Sequence, residues 1–295
     1  MRVHTHELFY ILKWPFTEAL SIRGTAMYRN DMYVVMATDQ ISLETPTVYD
    51  HWAGIKGELV FDNTRNVGMN LYYGLRYKLF AEYHQLLDLD NTDKNLIVLG
   101  FDIRHYQKIS RTFIWANRIA GSTSIGNENL IYYLGGVDNW LFPKFNYQTP
   151  IDYEQNYAYQ TLATNMRGFN QNIRNGNSFI VLNSELRFPL FQYFSKTPLS
   201  SSFLKNFQLV AFGDIGTAWT GTNPYSPENA LYTNYIDSGP LHISVERQKE
   251  PIVGGFGFGA RLHLLGYFIR GDVSWGVEDY RIREPIYYLS LSLDF

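Results

Sequence analysis

The chain has 295 residues, a formal net charge of −3 and no cysteine, which excludes disulfides, thiolate chemistry and cysteine-based zinc sites and gives no bulk support for nucleic-acid binding. Aromatic residues make up 17% of it, with 23 Tyr, a composition suited to strands and to the aromatic girdles of membrane barrels. No stretch approaches the roughly 18–20 consecutive apolar residues of a transmembrane helix, so any membrane span must be made by strands.

The N-terminus, MRVHTHELFYILKW, lacks the basic segment, apolar run and small-residue cleavage site of a secretory signal. An exported barrel needs one, so the expectation is that sequence upstream of Met1 is missing. From about Glu7 the pattern has period two, not 3.6. Strands are expected at 6–14, 17–29, 32–43, 52–63, 68–84, 95–108, 111–121, 177–190, 206–219, 252–264, 267–278 and 286–295. Within 69–83, Leu71, Tyr73, Leu75, Tyr77, Leu79, Ala81 and Tyr83 share one face, while Arg76, Lys78 and Glu82 lie on the other. The first face suits lipid and the second a wet lumen. Segment 20–29 repeats this with Arg23 and Arg29 opposite Leu20, Ile22, Ala26 and Tyr28.

The chain ends on YYLSLSLDF, placing Tyr287, Leu289, Leu291, Leu293 and Phe295 on one face of a strand and Tyr288, Ser290, Ser292 and Asp294 on the other. Tight turns near Trp14–Phe16 and Gly266 contrast with long polar connections at 122–176 and 220–251. That asymmetry matches the two ends of an outer-membrane barrel. Patterning thus predicts an all-β, antiparallel up-and-down barrel of about twelve strands as one domain over 1–295; a large soluble barrel or sandwich remains open on patterning alone.

Segment 166–191, MRGFNQNIRNGNSFIVLNSELRFPLF, followed by FGDIGTAW at 212–219 and closing strands at 255–275 and 287–295, resembles the BamA/TamA superfamily of outer-membrane assembly and translocation barrels, the bacterial surface antigen family. There a long extracellular loop folds into the lumen and carries a [VI]RG[FY] tip. Here the tip reads Met166, Arg167, Gly168 and Phe169, with Met in place of Val or Ile, and GGVDNWLFPKFNYQTPIDYEQNYAYQT (135–161) is an insertion before it. The resemblance covers 160–295 best and implies a barrel of about sixteen strands, within the range of such proteins. Seven expected strands before the loop instead of eleven imply that four strands and the periplasmic POTRA domains are absent.

By this resemblance Glu185 and Asp214 are the acidic partners of Arg167. A guanidinium, a planar fork of donors that stays charged, can hold two carboxylates at a fixed angle, and such a pin contributes about 1–3 kcal/mol. Gly168 allows a tight turn or close approach to the wall, and Phe169 an apolar anchor. The terminal residues Tyr287, Leu289, Leu291, Leu293 and Phe295 are the expected insertion signal. The implied work is insertion, assembly or translocation of proteins at the bacterial outer membrane, with unfolded barrel clients, periplasmic chaperones, accessory lipoproteins, lipopolysaccharide and phospholipid as partners. The membrane anchor of a patatin-like phospholipase and a passive porin are the alternatives. No G-x-S-x-G, H-E-x-x-H or P-loop is present, so no enzyme, cofactor or metal is expected. Gly255, Gly257 and Gly259 read as small residues in a crowded strand, His4 and His6 as an incidental pair, and Asp62-Asn63-Thr64 as a turn.

Overall fold

A computed structural model of the chain describes residues 2–36, 39–40, 44–87, 94–152, 155–238, 241–246, 249–264, 266–292 and 294–295, with backbone alone over 233–238 and 241–246. The wall begins with β1 (Arg2–Pro15), β2 (Leu20–Val34) and β3 (Val48–Asp62), then passes through β4 (Arg65–Gly68), β5 (Leu71–Leu86), β6 (Asn95–Lys108) and β7 (Ile114–Gly126). The long connection that follows holds β8 (Asn129–Leu134), β9 (Tyr157–Leu162) and β10 (Arg174–Gly176). The wall resumes with β11 (Ser178–Phe188) and, after two five-residue helices, α1 (Leu190–Phe194) and α2 (Ser202–Asn206), with β12 (Gln208–Trp219). A hairpin of β13 (Thr233–Ser238) and β14 (Leu241–Glu246) precedes β15 (Val253–Leu264), β16 (Tyr267–Glu278), β17 (Arg281–Ile282) and β18 (Ile286–Leu291).

All of these strands except β8, β9, β10, β13 and β14 form a thirteen-stranded antiparallel sheet in chain order, with β4 beside β5 and β17 and β18 both beside β16. The fold is the all-β up-and-down meander that the sequence pattern predicts. The sheet is not closed: among the described residues β1 pairs only with β2, and no wall strand covers the far edge of β18. Connections are short at one end, as at 16–19, 109–113 and Gly266, apart from the helical link 189–207, and long at the other.

The alternation is inverted relative to a soluble sandwich. On β11, Val181, Asn183, Glu185 and Arg187 are buried inside, while Ile180, Leu182 and Leu186 are exposed outside. Leu79, Leu99, Ile215 and Phe258 continue this exposed apolar surface on other strands. The largest fully buried side chains include Arg167, Arg174, Arg187, Arg261 and Arg270, so the interior combines ion-paired arginines with an apolar cluster, and the outside is an apolar belt. Aromatic side chains gather at the short-turn rim, where Phe188, Phe191, Tyr193, Phe194, Phe203 and Phe207 form ring contacts around the two helices.

Three local expectations are corrected. Among the described residues of 32–43 there is no separate strand: residues 32–34 complete β2, 35–36 and 39–40 lie outside any strand, and β3 starts at Val48. Residues 37–38 and 41–43 of that range lie outside the described residues. Leu71 is not on the outer face but is 1% exposed in an inner cluster with Tyr106, Ile114, Ala116 and Phe295. Tyr72 packs against the same cluster and shares its face with Arg76, which reaches Asp294, so the alternation fails between Leu71 and Tyr72, next to Asn70 at φ +58°. The alternation of the last strand stops at Leu291; Asp294 takes φ +62° and turns Phe295, 5% exposed, into the interior.

Candidate functional site

The long connection between β7 and β11 folds back into the hollow of the sheet. Its strands form a small sheet of their own, β10-β8-β9, with β8 antiparallel to β10 and parallel to β9. Every residue of β8 is buried, which accounts for a polar-flanked apolar run, NLIYYL, inside a surface connection. Leu130, Tyr132 and Leu134 pack with Met166, Phe169, Ile173, Phe179 and Val181. Wall side chains hold the loop along its length: Tyr132 and Ser122 share a hydrogen bond at 2.8 Å, the Arg118 guanidinium donates to Thr164 at 2.5 Å, and Arg29 stacks 3.9 Å above the Tyr159 ring.

At the tip, Arg167 is 1% exposed. Its Nε donates to Asp214 Oδ2 at 2.7 Å and Nη2 to Asp214 Oδ1 at 2.7 Å, a bidentate pair, while Nη1 donates to Glu185 Oε1 at 2.5 Å. The Arg167 backbone N–H also reaches Asp214, at 3.1 Å, and the guanidinium lies 3.7 Å above the Phe212 ring. Asn183 donates to Asp214 Oδ1 at 2.9 Å and to the Asn165 carbonyl at 2.9 Å. A buried charge is tolerated only when paired and hydrogen-bonded, and here each of the three guanidinium nitrogens donates to a carboxylate.

The two carboxylates differ in how they are shared. Among the described residues Asp214 has Arg167 as its ion-pair partner, whereas Glu185 also pairs with Arg187 at 2.8 Å and lies 3.8 Å from both Arg261 and Arg270. Arg187 passes the network on to Asp294 at 2.9 Å. Asp294 further accepts from Arg76 and Arg104, each at 2.8 Å, and from the Tyr106 hydroxyl. Arg261 pairs with Asp272, and Arg270 donates to the Asp294 carbonyl at 2.6 Å. The network therefore ties the loop tip to the inward-turned end of the chain.

Close backbone approach needs missing side chains. Gly168 has φ +96°, a conformation glycine adopts without penalty. A Cβ on Gly255 would stand 1.9 Å from the Arg167 carbonyl oxygen, and one on Gly276 would stand 2.5 Å from that of Gly168 and 2.6 Å from the Phe169 ring. Gly255 of β15 and Gly276 of β16 are register partners, so they form a gap in the inner wall into which the tip fits. Tyr288 of β18 seals it, accepting from the Gly168 N–H at 2.9 Å and donating to the Phe169 carbonyl at 2.7 Å.

The structure thus brings together Met166, Arg167, Gly168, Phe169, Glu185 and Asp214. Of the terminal residues, Tyr287 and Leu289 are exposed on the outer face, Leu291 is half-buried, Phe295 is turned inside, and Leu293 lies outside the described residues. Among the described residues no cluster of His, Asp and Glu has metal-binding geometry.

No family model matches the chain, and no curated protein sequence does. Solved structures do. The fold is similar to that of the BamA barrel. BamA from Haemophilus ducreyi, in a form lacking POTRA domains 1–3, aligns with TM-score 0.55 and 12% identity, over 98% of this chain and 54% of that one. CdiB from Escherichia coli aligns with TM-score 0.52 and 11% identity, over 98% and 45%. The chain spans about half the length of the structures it matches, and at these identities the likeness shows the fold.

Sequence reasoning missed Phe212, Arg187, Arg261, Arg270, Asp272, Tyr288, Gly276 and Asp294. Part of that signal was available: Arg187 lies two residues after Glu185 and Phe212 two before Asp214, on the same inner face by strand period. The role of Gly276 was not, because it depends on what crosses the wall. The Gly255→Ala protein is expected to lose the seated tip at a cost of about 1–3 kcal/mol from overpacking, read as faster proteolysis of the loop with the wall intact. Gly213→Ala is the control, since a Cβ there has only the Gly255 carbonyl, at 4.0 Å, near it.

Proposed function

We propose that the chain is an outer-membrane barrel of the BamA/TamA type that takes part in inserting, assembling or translocating proteins at the bacterial outer membrane. The observation that carries this reading is the seated loop tip: Arg167 clamped between Glu185 and Asp214, 18 and 47 residues further along the chain, on a sheet whose fold is similar to BamA. The exposed apolar belt supports a lipid and lipopolysaccharide surround, and the aromatic rim an interface with headgroups. Among the described residues β1 pairs on one side only and β18 has no wall strand on its far side, and strand templating at a sheet edge needs no cofactor and no covalent step. Unfolded barrel proteins are the proposed clients, with chaperones and lipoproteins delivering them. A lumen occupied by the loop weighs against a passive pore.

The test is reconstitution in liposomes with a urea-unfolded eight-stranded outer-membrane barrel as client. The expected result is client folding accelerated about tenfold, equivalent to about 1.4 kcal/mol off the barrier, with the gain lost in Arg167→Ala. Folding no faster than in protein-free liposomes would overturn the proposal.

A further inference from the structure

The insertion before the loop tip does something the tip does not. Residues 135–146 leave the end of β8, and their backbone is tied to the tip on both sides: Gly136 exchanges hydrogen bonds with Met166 and Phe169, each at 3.0 Å, and Lys144 and Asn146 bracket Gln171 at 2.9 and 2.8 Å. Between these ties the chain runs out to the far edge of β18. There Trp140 and Ser290 form an antiparallel bridge, the Leu141 N–H donates to the Leu289 carbonyl at 2.9 Å, and the Leu291 N–H donates to the Asn139 carbonyl at 3.4 Å. Side chains follow the alternation of the wall. Trp140 is buried against Tyr288 at 4.8 Å between ring centroids, while Leu141 is exposed like Leu289.

We infer that Asn139–Leu141 is a built-in strap that occupies the edge of β18 and holds it shut against strand addition by another polypeptide. An edge carbonyl and N–H already paired cannot template an incoming strand, and β-augmentation uses those same groups. The strap also joins the edge to the pin, because Tyr288 touches Trp140 on one side and hydrogen-bonds Gly168 and Phe169 on the other. Unseating the Arg167 tip therefore frees the strap, and a strand arriving at β18 must displace Trp140. The inference deepens the assembly reading and rests on it for the nature of the incoming strand.

Two variants test it in the full chain, which has no native cysteine. Leu141→Pro removes the donor to Leu289 without touching the pin. The Trp140→Cys/Ser290→Cys pair, opposite each other and not hydrogen-bonded to one another, has geometry suited to a disulfide and locks the strap when oxidised. The probe is a fluorescent synthetic peptide of residues 135–142, and the second readout is amide exchange at Leu291. Expected are binding about tenfold tighter and faster Leu291 exchange in Leu141→Pro than in wild type, with no binding to the oxidised pair until it is reduced. Equal binding by all three, no binding by any, or unchanged Leu291 exchange in Leu141→Pro overturns the strap. Neither readout requires client insertion, so a failed liposome assay beside a positive peptide result removes the assembly reading and leaves the strap.

Discussion

Replacing Arg167 by alanine is expected to destabilise the seated loop by about 3–5 kcal/mol, the cost of removing one partner from a buried ion pair. This exceeds the pin's net contribution of about 1–3 kcal/mol because truncation also strands a desolvated carboxylate. The stranded group is Asp214, which keeps only Asn183 at 2.9 Å and a backbone N–H at 3.1 Å. Glu185 is not stranded, since Arg187 holds its second oxygen at 2.8 Å. A double-mutant cycle on the temperature of heat-modified electrophoretic mobility is therefore expected to give a larger coupling for Arg167 with Asp214 than with Glu185. Arg167→Lys should recover less than half of the loss, because one ammonium cannot meet a bidentate carboxylate and a second carboxylate from one position. Equal couplings, or a fully competent lysine variant, would sink this account.

The difference between the two acids marks how far the sequence could be read. The alternation over 177–190 places Glu185 and Arg187 on one inner face, and the order of the motifs brings Asp214 to the same place. These depend on period two and on neighbouring strands, which a sequence displays directly. Whether a carboxylate is private or shared depends on strands three or more places away, such as β16 with Arg270, and on how the sheet curls. The strap at Asn139–Leu141 was hidden for the same reason: its hydrogen bonds are backbone to backbone, so no side-chain pattern announces them. Leu71 and Phe295 departed from the pattern in a different way. Each follows a residue of positive φ, Asn70 and Asp294, and neither an asparagine nor an aspartate in an otherwise alternating run reveals that in advance.

Asp294 is the second position where a large effect is expected. Its carboxylate gathers Arg76, Arg104 and Arg187, and its N–H donates to Asn70 at 2.8 Å. Beside it Phe295 fills the space among Leu71, Tyr106, Ile114 and Ala116, with the Arg187 guanidinium 4.9 Å from its ring. Phe295→Ala is expected to cost about 3–5 kcal/mol as a large-to-small change in a packed site. Asp294→Ala should cost about as much, because it releases Phe295 from its pocket and removes a partner of the buried Arg187; the charges themselves are not stranded, since Arg76 is a third exposed, Arg104 retains Asp102 and Arg187 retains Glu185. The two losses are expected to overlap: without Asp294 the ring is no longer delivered to its pocket, so the double variant should be little worse than the more damaged single one. Asp294→Asn separates the causes, since asparagine tolerates the left-handed backbone but carries no charge. If the tuck depends on the arginines, the asparagine variant follows alanine and carboxypeptidase trims its end as readily. Protection at the wild-type level in Asp294→Asn would instead assign the tuck to the backbone turn and the Phe295 pocket alone.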